Sequence, residues 1–165
     1  MMKKNKIITI SVVVTILVLT ILFLLIYDWQ VSKKTADAYI MEIEKIVNAK
    51  RKNPEIRTVI DIKALTLFNW DRLYIFTPYT SEEEINNRLG FDWIGASGIE
   101  YFDTFNLLVF TDGRKVVNSI DQPRNLGDFV ANKLKPYYTP QNAKFVLLMD
   151  TIAVNKGWLL LVDIE

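Results

Sequence analysis

The sequence predicts an α+β protein: an N-terminal transmembrane helix, then one domain with an antiparallel sheet of about five strands and two or three helices. Three observations carry that reading. Residues 7–27 form an apolar run without a charge. Two Gly-punctuated turns, Asp112-Gly113 and Asn155-Lys156-Gly157, each separate a pair of apolar runs. Two other stretches, 32–52 and 81–90, carry helical periodicity or helix caps.

The apolar run, IITISVVVTILVLTILFLLIY, is 21 residues long. As a helix it measures roughly 31 Å, against about 30 Å of bilayer hydrocarbon. Its polar members, Thr9, Ser11, Thr15 and Thr20, can bond back to helix carbonyls. A cleaved signal peptide has a shorter apolar region followed by small residues. Here Leu24, Leu25, Ile26 and Tyr27 close the run with bulk, and the only A-x-A, Ala36-Asp37-Ala38, lies well beyond it. An uncleaved anchor is expected. Lys3, Lys4 and Lys6 precede the run and Asp28 follows it, which places residues 1–6 in the cytoplasm and 28–165 outside the cell membrane. Tyr27 and Trp29 then fall at the outer interface.

The chain has 165 residues, room for one domain beside an anchor. It has no Cys and no His. Disulfides, thiol nucleophiles, Cys/His metal sites and imidazole acid–base chemistry are therefore absent. Net charge is +1, but the part after the three leading lysines holds 17 bases against 19 acids. A near-neutral domain has no electrostatic footprint for nucleic acid.

Within residues 28–165, the stretch 32–52 places Ala36, Tyr39, Ile40, Ile43, Ile46 and Val47 on one face of a 3.6-residue period. Lys50, Arg51 and Lys52 complement the dipole of its last turn, and Asn53-Pro54 ends it. With only about two heptads, the stripe is expected to pack on the domain's own sheet rather than on a second copy. Residues 56–66 read as extended. Leu73 to Phe76 reads as a strand buried on both faces and stopped by Pro78. Ser81 and Glu84 form a capping box, Glu84 and Arg88 an i,i+4 pair, and Gly90 a helix exit. Phe105–Phe110 and Arg114–Ile120 are predicted to pair across Asp112-Gly113. Residues 125–135 read as a short helix. Lys144–Val154 and Trp158–Ile164 are predicted to pair across Asn155-Lys156-Gly157, with the last strand running almost to Glu165 and leaving no disordered tail.

Catalytic signals are sparse. Ser97, in Gly95-Ala96-Ser97-Gly98, misses G-x-S-x-G because Ile99 stands two residues after it. Glu82, Glu83 and Glu84 are explained by helix capping, and Asp71, Asp92, Asp103 and Asp112 sit among turn signals. No acidic metal loop and no Gly-rich phosphate loop is present, so no metal and no cofactor is expected. The remaining chemistry is binding. Aromatics with a polar handle serve cores and interfaces alike. Tyr137-Tyr138, between Pro136 and Thr139-Pro140, is expected to be exposed in a loop. Asp71, Tyr79 and Trp93, at the ends of their elements, complete the candidate interaction residues.

The stretch WDRLYIFTPYTSEEEINNRLGFDW, residues 70–93, resembles small membrane-anchored or lipoprotein-like proteins of Gram-positive bacteria. In these, W-D-x-x-Y-x-F-x-P-Y-T precedes a capped helix and L-G-x-x-W. The matching residues are Trp70, Asp71, Tyr74, Phe76, Pro78, Tyr79, Thr80, Leu89, Gly90 and Trp93. The resemblance implies a bacterial envelope setting and no activity. Ser81–Gly90 and Phe105–Val117 also resemble small envelope lipoproteins and inhibitor domains built from a helix ending in Leu-Gly and a strand meander, without the Pro those place after Leu-Gly. The expected function is a single-pass, membrane-anchored extracytoplasmic binding module whose partner is an envelope protein, of inhibitor or immunity type. The alternative is a carboxylate-dependent hydrolase of cell-wall glycan, which needs two facing acids.

Overall fold

The computed structural model describes residues 2–96, 98–150 and 157–164, with side chains from residue 12 onward. The chain divides into two units, Met1–Lys34 and Thr35–Glu165.

The first unit is helical, the beginning of α1 (Met2–Lys52). It is long and apolar enough to cross a membrane: its most apolar 18-residue window has a mean hydropathy of 2.5, and none of that window is buried against protein. Thr20 Oγ1 donates to the Ile16 carbonyl at 2.9 Å, so this hydroxyl needs no outside partner. Near the end of the apolar run Lys33 Nζ lies 5.6 Å from the Trp29 ring centroid, a cation–π contact suited to an interfacial position.

Among the described residues the second unit is α+β, with seven strands in two sheets. The four-stranded sheet has the order β1 (Thr58–Asp61), β6 (Lys144–Met149), β7 (Leu159–Asp163), β5 (Asp128–Phe129). The three-stranded sheet has the order β2 (Arg72–Phe76), β3 (Phe105–Asp112), β4 (Lys115–Pro123). The single antiparallel sheet of about five strands is thus corrected to two sheets, and β5 pairs with β7 in parallel. Both expected strand pairs form, β3 with β4 and β6 with β7. Gly113 (φ 59°) turns the first pair, and a bulge falls between Phe110 and Thr111. Thr151 to Lys156, which includes most of the second turn, lies outside the described residues, as does Ser97.

Alternation along β2 and β3 builds two cores. Leu73, Ile75, Leu108 and Phe110 face the principal core; Tyr74, Phe76, Leu107 and Val109 face a second one. The strand buried on both faces is therefore present. The principal core also takes Tyr39, Ile43 and Val47 from α1 and Ile60, Phe145, Leu147, Leu159 and Leu161 from the four-stranded sheet. The amphipathic stripe packs on its own domain. Lys50 Nζ bonds the Ile56 carbonyl at 2.7 Å beyond the helix end, which ties down the chain reversal. The second core is closed by α3 (Glu82–Leu89) through Ile85 and Leu89. Ser81 Oγ accepts from the Glu84 N–H at 3.2 Å and Gly90 takes φ 77°, so both caps form as the sequence requires.

Two segments differ from expectation. The extended stretch 56–66 is β1 followed by the one-turn α2 (Ile62–Leu65), started by the Asp61 carboxylate accepting from the Lys63 N–H at 3.0 Å. Residues 125–135 are not a helix: Gly127 adopts φ 122°, and β5 stands between two 3₁₀ turns. Arg124 Nη2 pairs with Asp128 Oδ2 at 2.6 Å and Asn106 Nδ2 donates to Asp128 Oδ1 at 3.1 Å, drawing the chain away from a helical path.

One buried polar chain crosses the principal core. Tyr39 Oη donates to Gln122 Oε1 at 2.6 Å and Gln122 Nε2 to the Gly127 carbonyl at 2.9 Å, linking α1 to β4 and the turn before β5. Burial pushes the Tyr39 phenol upward, and it pushes Tyr138 up to about 12. A phenol is neutral when protonated, so between the unfolded value near 10 and the raised value the folded chain holds a proton that the unfolded chain has lost. This stability is complete below pH 10 and is lost as pH rises through about 12. The urea midpoint of the full chain in detergent is expected to fall across that window, and to fall less steeply in Tyr138→Phe. An equal slope in the two proteins contradicts the assignment.

Candidate functional site

The five candidate residues do not form one site. Asp71 and Tyr79 lie beyond opposite ends of β2. The Asp71 carboxylate is committed to structure: Oδ1 accepts from Thr111 Oγ1 and Oδ2 from the Gly113 N–H, each at 3.0 Å, clamping the β3–β4 turn. Tyr138 is corrected from exposed to fully buried. Its backbone exchanges two 2.8 Å hydrogen bonds with Leu73, extending the edge of β2, and its ring packs on Phe145 at 5.0 Å. A Pro-flanked loop hides this pairing because an isolated bridge has no local signature. Tyr137 is exposed, with the Arg72 guanidinium 4.7 Å from its ring centroid.

Tyr79 and Trp93 are brought toward one region. Pro78 ends β2, and Tyr79 follows at φ 67°, the only non-Gly residue with positive φ among the described residues. Bulky side chains rarely accept that conformation. It is held by the Tyr79 N–H donating to the Ile99 carbonyl at 3.1 Å, and by Thr80, whose hydroxyl bonds the Thr77 carbonyl at 2.6 Å. The side chain so placed is 66% exposed. The chain beyond α3 runs through two short 3₁₀ turns, Ile94–Ala96 and Ile99–Tyr101, that send Ala96 and Ile99 into the second core. They leave Ile94 97%, Tyr101 76% and Phe102 52% exposed. Trp93 is half-buried against the same core, its backbone N–H donating to Asn86 Oδ1 at 2.9 Å. The sequence pattern singles out Tyr79 but not Ile94 or Phe102. The available signal was an apolar, Gly-punctuated stretch without helix or strand periodicity.

Gly95 supports Trp93. A Cβ on Gly95 would stand 2.4 Å from the indole Cζ2. Gly95→Ala is therefore expected to displace the indole, red-shifting tryptophan emission as Trp93 meets water, with the unfolding free energy lowered by roughly 1–3 kcal/mol through overpacking. Unchanged emission and stability would mean that the ring does not cover this backbone.

The same stretch of chain is rich in acids. Glu82, Glu83 and Glu84 occupy the first turn of α3, and Asp92, Glu100 and Asp103 lie in the following loop. The Tyr101 phenol is pushed upward by Glu100, its neighbour in sequence, through hydrogen bonding and charge, and to a lesser degree by burial and by the Glu82 charge. The two neighbouring cations are occupied. Arg88 donates to the carbonyls of Ile75 (3.2 Å) and Pro136 (3.1 Å) rather than closing an ion pair with Glu84, and stacks over Phe76. Burial lowers its pKa. Arg124 is tied to Asp128 and to the Asp103 carbonyl. No family model, curated protein or solved structure matches the chain.

Proposed function

We propose that the protein is a single-pass, membrane-anchored binding module, with its N-terminus in the cytoplasm and the second unit outside the cell membrane. The face carrying Tyr79, Ile94, Tyr101 and Phe102 is its docking surface. The supporting observation is Tyr79: a bulky, exposed ring held in a strained backbone conformation by its neighbours. Exposed apolar side chains gathered on one face mark interaction sites, and local strain at an exposed residue concentrates where function requires it. The envelope setting agrees with the lysines before the apolar run and with the resemblance carried by residues 70–93.

Orientation is tested by protease treatment of intact cells, which is expected to remove the domain while sparing a cytoplasmic N-terminal tag. Protection of residues 28–165 would overturn it. Docking is tested with a photo-crosslinking amino acid at position 101 in living cells, with position 59 on β1 as the exposed control. An adduct with one envelope protein, identified by mass spectrometry and lost in Phe102→Ala, is expected from 101 only. Matching adducts from 59, or none from 101, reject this face.

A further inference from the structure

The charge on this face identifies its partner's chemistry, an inference that rests on reading the face as a docking surface. Between Thr77 and Phe105 the chain holds six acids and one base, Arg88, a net charge of −5. Residues 28–165 as a whole carry −2, so the rest of the domain carries +3. The asymmetry is therefore confined to the stretch that also exposes the rings. Helix capping accounts for Glu82 to Glu84. It does not account for Asp92, Glu100 and Asp103, and among the described residues no ion pair takes up any of those three. Arg88 directs its hydrogen bonds to the Ile75 and Pro136 carbonyls rather than to any of these acids.

Aromatic faces attract cations through their quadrupole, and carboxylates beside them add to that attraction. An anionic lipid surface would be repelled by the same acids. A purely apolar partner would gain from the rings and nothing from the charges. We propose that this face receives a Lys- or Arg-bearing segment of a partner protein, the cationic heads placed against Tyr101 and Glu100 and the aliphatic stems on Tyr79 and Phe102.

The full chain in nanodiscs of zwitterionic lipid provides the test. Because the chain has no Cys, Ile94→Cys gives a single attachment point for an environment-sensitive fluorophore. The probes are short peptides of alternating Lys and Gly, with Glu–Gly and Gln–Gly counterparts. Only the Lys peptide is expected to shift the fluorophore saturably, and added salt to weaken it. Tyr101→Ala and Glu100→Gln are each expected to weaken binding about threefold, and together about tenfold. These positions are exposed or half-exposed, and unchanged melting of the variants confirms the fold. The inference is overturned if the Gln or Glu peptide binds as tightly, if the Lys peptide does not bind, or if the double variant retains its affinity. Quenching of the fluorophore by brominated lipid without peptide also overturns it, because the face then lies on membrane. If the crosslink from position 101 persists while the Lys peptide is ignored, the docking surface stands and only its partner's chemistry falls.

Discussion

Phe110→Ala is expected to lower the unfolding free energy of the domain by about 3–5 kcal/mol. Phe110 is fully buried on β3, the central strand of its sheet. Its ring packs edge-to-face with Phe68 at 5.1 Å and Trp70 at 5.4 Å, so truncation removes two aromatic contacts as well as buried area. Neighbours cannot readily collapse into the space. Trp70 is held by its indole N–H on Thr66 Oγ1 at 2.9 Å, and β3 is bound on both sides by β2 and β4. A loss of this size is a large part of the roughly 5–15 kcal/mol that holds a domain folded. Urea denaturation followed by tryptophan emission reads it directly, because Trp70 is a contact. The control is Leu148→Ala on the exposed side of β6, expected to change stability by about 0.5 kcal/mol or less. A Phe110→Ala cost below about 1 kcal/mol would contradict the two-core arrangement of β2 and β3.

What was legible in the sequence was local. The Ser81 cap, the Gly90 exit, the Asp112-Gly113 turn and the stripe from Tyr39 to Val47 each need only a few neighbouring residues to be specified, and each is present. The features that depart from the local pattern are decided across the chain. Leu126, Phe129, Val130 and Leu134 imitate a helical face, but Asp128 is claimed by Asn106 and Arg124, and Phe129 pairs in parallel with Leu161. The split into two sheets follows from β1 joining β6 rather than β2, a pairing between segments far apart in sequence that no local pattern announces. The candidate site divides the same way. Aromatic content marked residues 70–93, yet composition does not say which ring faces water. Tyr74 and Tyr138 are core, while Tyr79 and Tyr101 are surface. The backbone conformation of Tyr79 has no signature in residue type at all.

That conformation yields a prediction in which stability and function move in opposite directions. Tyr79→Gly is expected to stabilise the domain by about 0.5–1 kcal/mol. A left-handed conformation costs an L-residue with a Cβ roughly 1–2 kcal/mol. Glycine removes that cost and returns part of it through the greater freedom of the unfolded chain. Little packing is lost, since the ring is two-thirds exposed. The crosslink from position 101 is expected to fall severalfold in the same variant, because the ring that extends the docking face is gone. Tyr79→Asn separates the two effects further: Asn tolerates the left-handed region better than Tyr but restores no ring, so it should also stabilise and also bind poorly. If either variant destabilises the domain, the ring is packing rather than presenting itself. If both stabilise and the crosslink is unaffected, the strain serves something other than docking, and the face must be redrawn without Tyr79.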